Sequence, residues 1–136
     1  MRVFISHSSE DSWIALRIAD AMRRLRPRVG TFLDRLDIAH GDDFEERILE
    51  AEDTCDELMV LLTPWALRSA YVATEIAYFR KSRKRIVLVR LGISSEEIAA
   101  SPVLPPFVSK LDSLHLNDLD AYLRQLAKRA AGAGDD

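Results

Sequence analysis

Few residues in this chain have both the type and the spacing to do chemistry, and Glu75 is foremost among them. It stands directly before the apolar Ile76 and one helical turn beyond Tyr71. A helix here sets a carboxylate beside an aromatic at the edge of a core face. A carboxylate in partly apolar surroundings suits sugar hydroxyls or a developing oxocarbenium cation. The same spacing also describes an ordinary solvated glutamate, because charged helix residues are mostly exposed. His7, in the polar cluster Ser6–Ser12, could act as a base or simply bond within its loop, whereas His40 and His115 have no partner visible in the sequence. Other chemistries lack their residues. There is no Gly-x-x-x-x-Gly-Lys-Ser/Thr loop, no Gly-x-Gly-x-x-Gly fingerprint and no Gly-x-Ser-x-Gly elbow. Cys55 is the single cysteine and no Cys/His cluster has zinc spacing, so neither an internal disulfide nor a metal site is expected.

The elements that must position Glu75 follow from the pattern of apolar residues. The 136 residues are 48% hydrophobic and 30% charged, with a net charge of -3. That fits one soluble domain, expected over residues 1–131 with a flexible tail at 132–136. It gives no general pull toward nucleic acid or an anionic membrane. No apolar run is long enough for a membrane span or a signal peptide, so a cytoplasmic location is expected. Arg2–Ser6 reads as a first strand. Ile14, Ile18, Met22 and Leu25 mark a helix that Ser9 or Asp11 could cap and Pro27 stops. Val29–Leu33 is a second strand, followed by a polar loop from Asp34 to Asp42 and a short helix carrying Phe44, Ile48 and Ala51. Leu58–Leu62 is continuously apolar, as a strand buried on both faces should be. Val72, Ile76 and Phe79 mark the next helix, and Ile86–Val89 the fourth strand. Gly92–Pro106 reads as a loop with one helical turn near Glu96–Ala99, its three prolines arguing against more. Leu114–Leu116 is the last strand and Leu119, Leu123, Leu126 and Ala130 the last helix.

This alternation predicts an α/β fold of the flavodoxin-like kind, three layers around a five-stranded parallel sheet in the order 2-1-3-4-5. Ligands in such sheets bind beyond the carboxyl ends of the strands at the switch between strands 1 and 3. Ser6–Asp11 and Thr63–Glu75 are the segments that fall there. A phosphoacceptor receiver domain of the same fold would need acids after strands 1 and 3, where Ser6-His7 and Leu62-Thr63 stand instead.

Three segments resemble the TIR (Toll/interleukin-1 receptor) domain family, especially its bacterial members. Val3–Asp11 looks like the family's first box, an apolar strand running into a Ser-rich loop and an acid. Phe32–Gly41 with Phe44–Ile48 looks like its second strand and the following BB loop. Leu61–Glu75 is similar to its third-strand motif: Thr63-Pro64, a serine five residues on, an aromatic-apolar pair, then a glutamate, without gaps. Tyr71-Val72 departs from the Trp-Cys that the family often has there. The resemblance covers about Arg2 to Ala130.

It implies an enzyme that cleaves NAD, as substrate and not cofactor, at the nicotinamide–ribose bond, with Glu75 as the catalytic residue. Phe4, Ile5, Ser6 and His7 would line one side of the cleft and Ser69 and Tyr71 the other. Phe4 and Ile5 read more readily as core than as ligand contacts, and Ser69 is also readable as a helix cap. Asp34, Arg35, Asp37, His40, Gly41 and Asp42 would belong to a BB loop that closes the site of a neighbouring copy. The products would be nicotinamide with ADP-ribose or a cyclic isomer of it, as a signal in bacterial defence read by a separate effector. Self-association or a partner would switch the enzyme on. Nine acids between Asp42 and Glu57, set against five bases between Arg80 and Arg85, could guide stacking of copies if they lie on different faces. The alternatives are a non-catalytic module that binds other TIR domains, and a relative of the nucleoside deoxyribosyltransferases.

Overall fold

The computed structural model describes residues 1–33, 41 and 43–134. Among them five parallel strands form one sheet: β1 (Arg2–Ser6), β2 (Gly30–Phe32), β3 (Glu57–Leu62), β4 (Arg85–Arg90) and β5 (Ser113–His115). Their order is β2-β1-β3-β4-β5. The chain therefore returns past β1 to build β3 on its other side, and the ends of these two strands lie together. The helices are α1 (Ser12–Arg23), α2 (Phe44–Thr54), α3 (Ala70–Lys81), α4 (Ser95–Ala99) and α5 (Leu119–Gly134).

All six residues of β3 are buried, which is why its sequence does not alternate. Its side chains still go to opposite faces. Leu58, Val60 and Leu62 join Phe4 and Leu88 under α2 and α3, meeting Ile48, Val72, Ile76 and Phe79. Met59 and Leu61 join Val3, Ile5 and Val89 under α1 and α5, meeting Ile18, Met22, Tyr122 and Leu126. The acidic and basic runs prove to be neighbours. Lys84 Nζ donates to the carbonyl oxygens of Glu52 and Asp53 at 2.9 and 2.7 Å, so the basic run meets the last turn of the acidic helix within one molecule.

Several local expectations are corrected. β2 and β5 are three residues each, at 30–32 and 113–115. The 92–106 segment is more regular than its prolines suggest. Ser94 and Glu97 form a reciprocal capping box for α4, and Pro106 opens a 3-10 turn, the one helical position where its missing N–H costs nothing. Gly132 does not end α5, which runs on to Gly134. A helix-ending glycine takes a left-handed backbone, and Gly132 has no positive φ. Asp11 holds the N-cap position of α1, yet its side chain makes no capping bond there.

Candidate active site

Glu75 is drawn inward by the helix that carries it. Ser69 Oγ accepts from the Val72 N–H at 3.1 Å and so fixes the first turn of α3. Val72, Ile76 and Phe79 then turn toward the sheet, and Glu75 is carried in with them to complete burial, its exposure being 0%. A carboxylate this deep needs a donor. Ser6, the last residue of β1 and itself buried, supplies one: Ser6 Oγ donates to Glu75 Oε1 at 2.5 Å. This short contact joins strand 1 to the helix after strand 3, across the switch point of the sheet.

The loops on either side are tied by a second bond. Thr63 Oγ1 donates to Asp11 Oδ2 at 2.6 Å and accepts from the Ala66 N–H at 3.1 Å, all buried. Asp11 thus holds the β3–α3 loop against the β1–α1 loop. Thr63→Val, equal in shape, leaves a buried carboxylate and a buried amide without partners. It is expected to cost about 1–3 kcal/mol of stability in thermal denaturation, with Thr63→Ser close to the parent.

His7, 6% exposed, places Nδ1 2.8 Å from the Ser8 carbonyl oxygen. A carbonyl only accepts, so Nδ1 carries a hydrogen. Nε2 is enclosed and makes no hydrogen bond among the described residues.

The structure brings some of the expected residues together and sets others apart. Glu75, Ser6 and Tyr71 converge, Tyr71 and Glu75 lining one cavity between α2 and α3. Ser69 serves the site as the cap of its helix. Phe4 and Ile5 are core residues, 0% and 1% exposed. Phe4 packs against Phe32 and Phe79 at ring distances of 5.1 and 5.6 Å, and Ile5 faces the opposite side of the sheet under α1. Gly41 is exposed with φ +93°, a conformation glycine adopts freely. Asp34, Arg35, Asp37, His40 and Asp42 lie outside the described residues.

One residue of the cavity escapes a motif search. Glu52, on α2, is 3% exposed and faces the same cavity of about 410 Å³ as Glu75. Burial pushes its carboxyl up from 4.5 to about 7, with Lys84 pulling the other way. The signal was present: Glu52 sits four residues after Ile48 and next to Ala51, on the buried stripe of its helix.

Comparison with known proteins places this geometry in context. The model of a family described as TIR domain matches residues 3–128. A protein of Brachypodium distachyon named "Probable 2' cyclic ADP-D-ribose synthase BdTIR" is 28% identical over 122 residues, which are 88% of this chain and 52% of that protein. The chain therefore spans about half the length of that relative. The TIR domain of the Toll-related receptor TRR-2 from Hydra magnipapillata superposes with a TM-score of 0.65 at 18% identity, over 97% of this chain and 95% of that one. A prokaryotic SEFIR domain follows with a TM-score of 0.61 at 22% identity, over 93% and 96%. A 2-desoxiribosyltransferase from Leishmania mexicana reaches 0.52 at 16% identity, over 65% and 63%. At these identities the structural likeness speaks for the fold alone. Among the described residues no helix is long and apolar enough to cross a membrane.

Proposed function

This chain belongs to the TIR domain family, and from that premise we propose that it cleaves NAD at the nicotinamide–ribose bond, with Glu75 as the catalytic carboxylate. The observation that carries the reading is the buried bond from Ser6 Oγ to Glu75 Oε1. An acid at 0% exposure is costly to keep, and a hydroxyl that donates to it favours the charged form and fixes its direction. A fixed carboxylate in a site shielded from water stabilises positive charge as it grows on the ribose while nicotinamide departs. The similarity to a plant protein named for cyclic ADP-ribose synthesis supports the same chemistry.

The sugar cation is captured by a hydroxyl, either of water, giving ADP-ribose, or of the same molecule, giving a cyclic isomer. The capturing hydroxyl must lose its proton. That proton passes to water. The BB-loop residues Asp34, Arg35, Asp37, His40, Gly41 and Asp42 would complete the site by contact between copies, so assembly would switch the activity on. A role in bacterial defence, with a separate effector reading the product, belongs to this same reading.

The test is incubation of the protein with NAD over a wide range of protein concentration, with products resolved by mass spectrometry. Nicotinamide should appear together with ADP-ribose or a cyclic isomer, at a rate rising more steeply than protein concentration. Self-association with no nicotinamide release at any concentration would leave an interaction module instead. Cleavage of free nucleosides with NAD left intact would point to deoxyribosyl transfer.

A further inference from the structure

We propose that the basic cleft at the carboxyl end of α3 is a binding site for a diphosphate group, carried by a small molecule rather than by a nucleic acid. Arg80, Arg83 and Lys84 line a cavity of about 420 Å³ there, with Ile86 and Leu111 as its apolar walls. That volume lies within the range of small-molecule sites, about 300–1,000 Å³. The cleft opens beside the first residues of β4, at the end of α3 away from its Ser69 cap. No described residue lines both this cleft and the cavity of Glu75.

The backbone keeps an arginine where an arginine fits poorly. α3 ends in a left-handed turn, in which the Lys84 N–H donates to the Phe79 carbonyl oxygen and the Arg83 N–H to that of Arg80, both at 3.1 Å. Glycine commonly makes this turn, because a side chain is crowded there. Arg83 makes it instead, at φ +57°. Cations are favoured near a helix C-terminus, but that preference asks nothing of this one position. The last carbonyls have no need of the guanidinium, since those of Tyr78, Phe79 and Arg80 already accept from backbone N–H groups. Among the described residues the Arg83 guanidinium makes no hydrogen bond or ion pair. The Arg80 guanidinium stands 4.6 Å from the centre of the Phe107 ring, which steadies it, and it too makes no ion pair among them.

The lining fixes the class of ligand. Lys84 gives two ammonium hydrogens to the carbonyl oxygens of Glu52 and Asp53, and Glu52 offsets part of its charge. The two guanidiniums therefore carry the uncompensated charge of the cleft. Each presents a planar fork of N–H groups that matches a pair of phosphate oxygens. A diphosphate offers two adjacent groups, one for each arginine, whereas a single small anion leaves one arginine unmet. Ile86 and Leu111 suit an organic remainder next to the phosphates. A nucleic acid needs an extended basic groove along its backbone, and here the bases are gathered in one cleft on a chain of net charge -3.

The test is NMR titration of pyrophosphate, ADP and inorganic phosphate at fixed ionic strength. The proteins are the parent, Arg83→Gly, Arg80→Gln and, as a control of equal charge loss, Arg124→Gln, an exposed residue of α5 on the other face of the sheet. Signals of Ile86 and Leu111 should move saturably in the parent and the control, with pyrophosphate or ADP bound about tenfold more tightly than phosphate. Tighter binding of ADP identifies an organic diphosphate as the ligand, and tighter binding of pyrophosphate the free anion. Each arginine variant of the cleft should weaken binding about tenfold. Arg83→Gly separates binding from folding, because glycine accepts the left-handed turn: its thermal midpoint should equal or exceed the parent's while binding falls. No saturable shift at Ile86 and Leu111, an affinity unchanged in Arg83→Gly, or an equal loss in Arg124→Gln overturns the site. So does a single-stranded oligonucleotide that binds through the same residues more tightly than ADP. NAD is absent from every arm, so the outcome is independent of whether NAD is cleaved.

Discussion

Glu75→Gln is expected to release nicotinamide from NAD about two to three orders of magnitude more slowly than the parent, the loss typical of removing one preorganised electrostatic partner of the transition state. The substitution isolates charge from shape. The amide oxygen of glutamine can still accept from Ser6 Oγ, which now reaches Oε1 of Glu75 at 2.5 Å, and the side-chain volume hardly changes. Fold and cavity should both survive, so unfolding of the variant should match the parent or shift upward, a buried charge having been removed. What the amide lacks is the full negative charge that faces the ribose as nicotinamide leaves. Initial rates measured at saturating NAD and at matched protein concentration read the effect directly. Equal rates in parent and variant would sink the assignment of Glu75. Ser6→Ala should fall between the two, because the carboxylate stays but loses its fixed direction.

Arg129→Ala is expected to cost about 3–5 kcal/mol, a large part of the roughly 5–15 kcal/mol that holds a domain of this size together. The reason lies at the opposite end of the sheet from the site. Glu57 opens β3 with a side chain only 2% exposed. Its carboxylate accepts from Arg129 Nε at 3.1 Å and Nη2 at 3.0 Å, and from the Tyr122 hydroxyl at 2.7 Å. The tyrosine cannot take over, because burial and the neighbouring Glu57 charge push its own ionisation upward and leave it a neutral donor. Removing the guanidinium leaves a carboxylate in the core with one donor where three stood. Urea unfolding of the variant should show a midpoint well below the parent's with the slope kept. Replacing Glu57 and Arg129 together by leucine should recover much of the loss, since no orphaned charge remains. A midpoint equal to the parent's in Arg129→Ala would show that the pair contributes no net stability. Nicotinamide release per folded molecule should not change.

The framework was legible in the sequence because it rests on strong periodic signals. The unbroken apolar run Leu58–Leu62 announced a strand covered on both faces, and the spacing of Val72, Ile76 and Phe79 fixed which way α3 turns. Alternation gave the parallel sheet, the count of five strands suggested the flavodoxin-like order, and with it came the meeting of Ser6–Asp11 with Thr63–Glu75. What stayed hidden was the division of labour among side chains. Phe4 and Ile5 stand beside Ser6 in sequence, but a two-sided sheet sends neighbours to opposite layers, and both vanish into core. Asp11 has the type and place of a helix cap, and only three dimensions reveal Thr63, 52 residues away, as its partner. Glu57 looked like the last of an acidic run, when it is the buried anchor of α5. Charge counts cannot tell a solvated acid from a paired one, and they do not single out Glu52, which is 3% exposed.

Trp13 and Trp65 are the only tryptophans in the chain, 71% and 55% exposed, and each stands two residues beyond one end of the Asp11–Thr63 bond. Every photon of indole emission therefore originates at the rim of the cleft, and none from the interior. Both indoles already meet water in the native state, so denaturation should barely redden the spectrum, and folding is better followed through circular dichroism. The emission is free instead to serve as a local gauge. At constant fold, a change in quenching by iodide or acrylamide marks an event at the β1–α1 and β3–α3 loops, whether a ligand settles, a copy docks or the strut between them gives way.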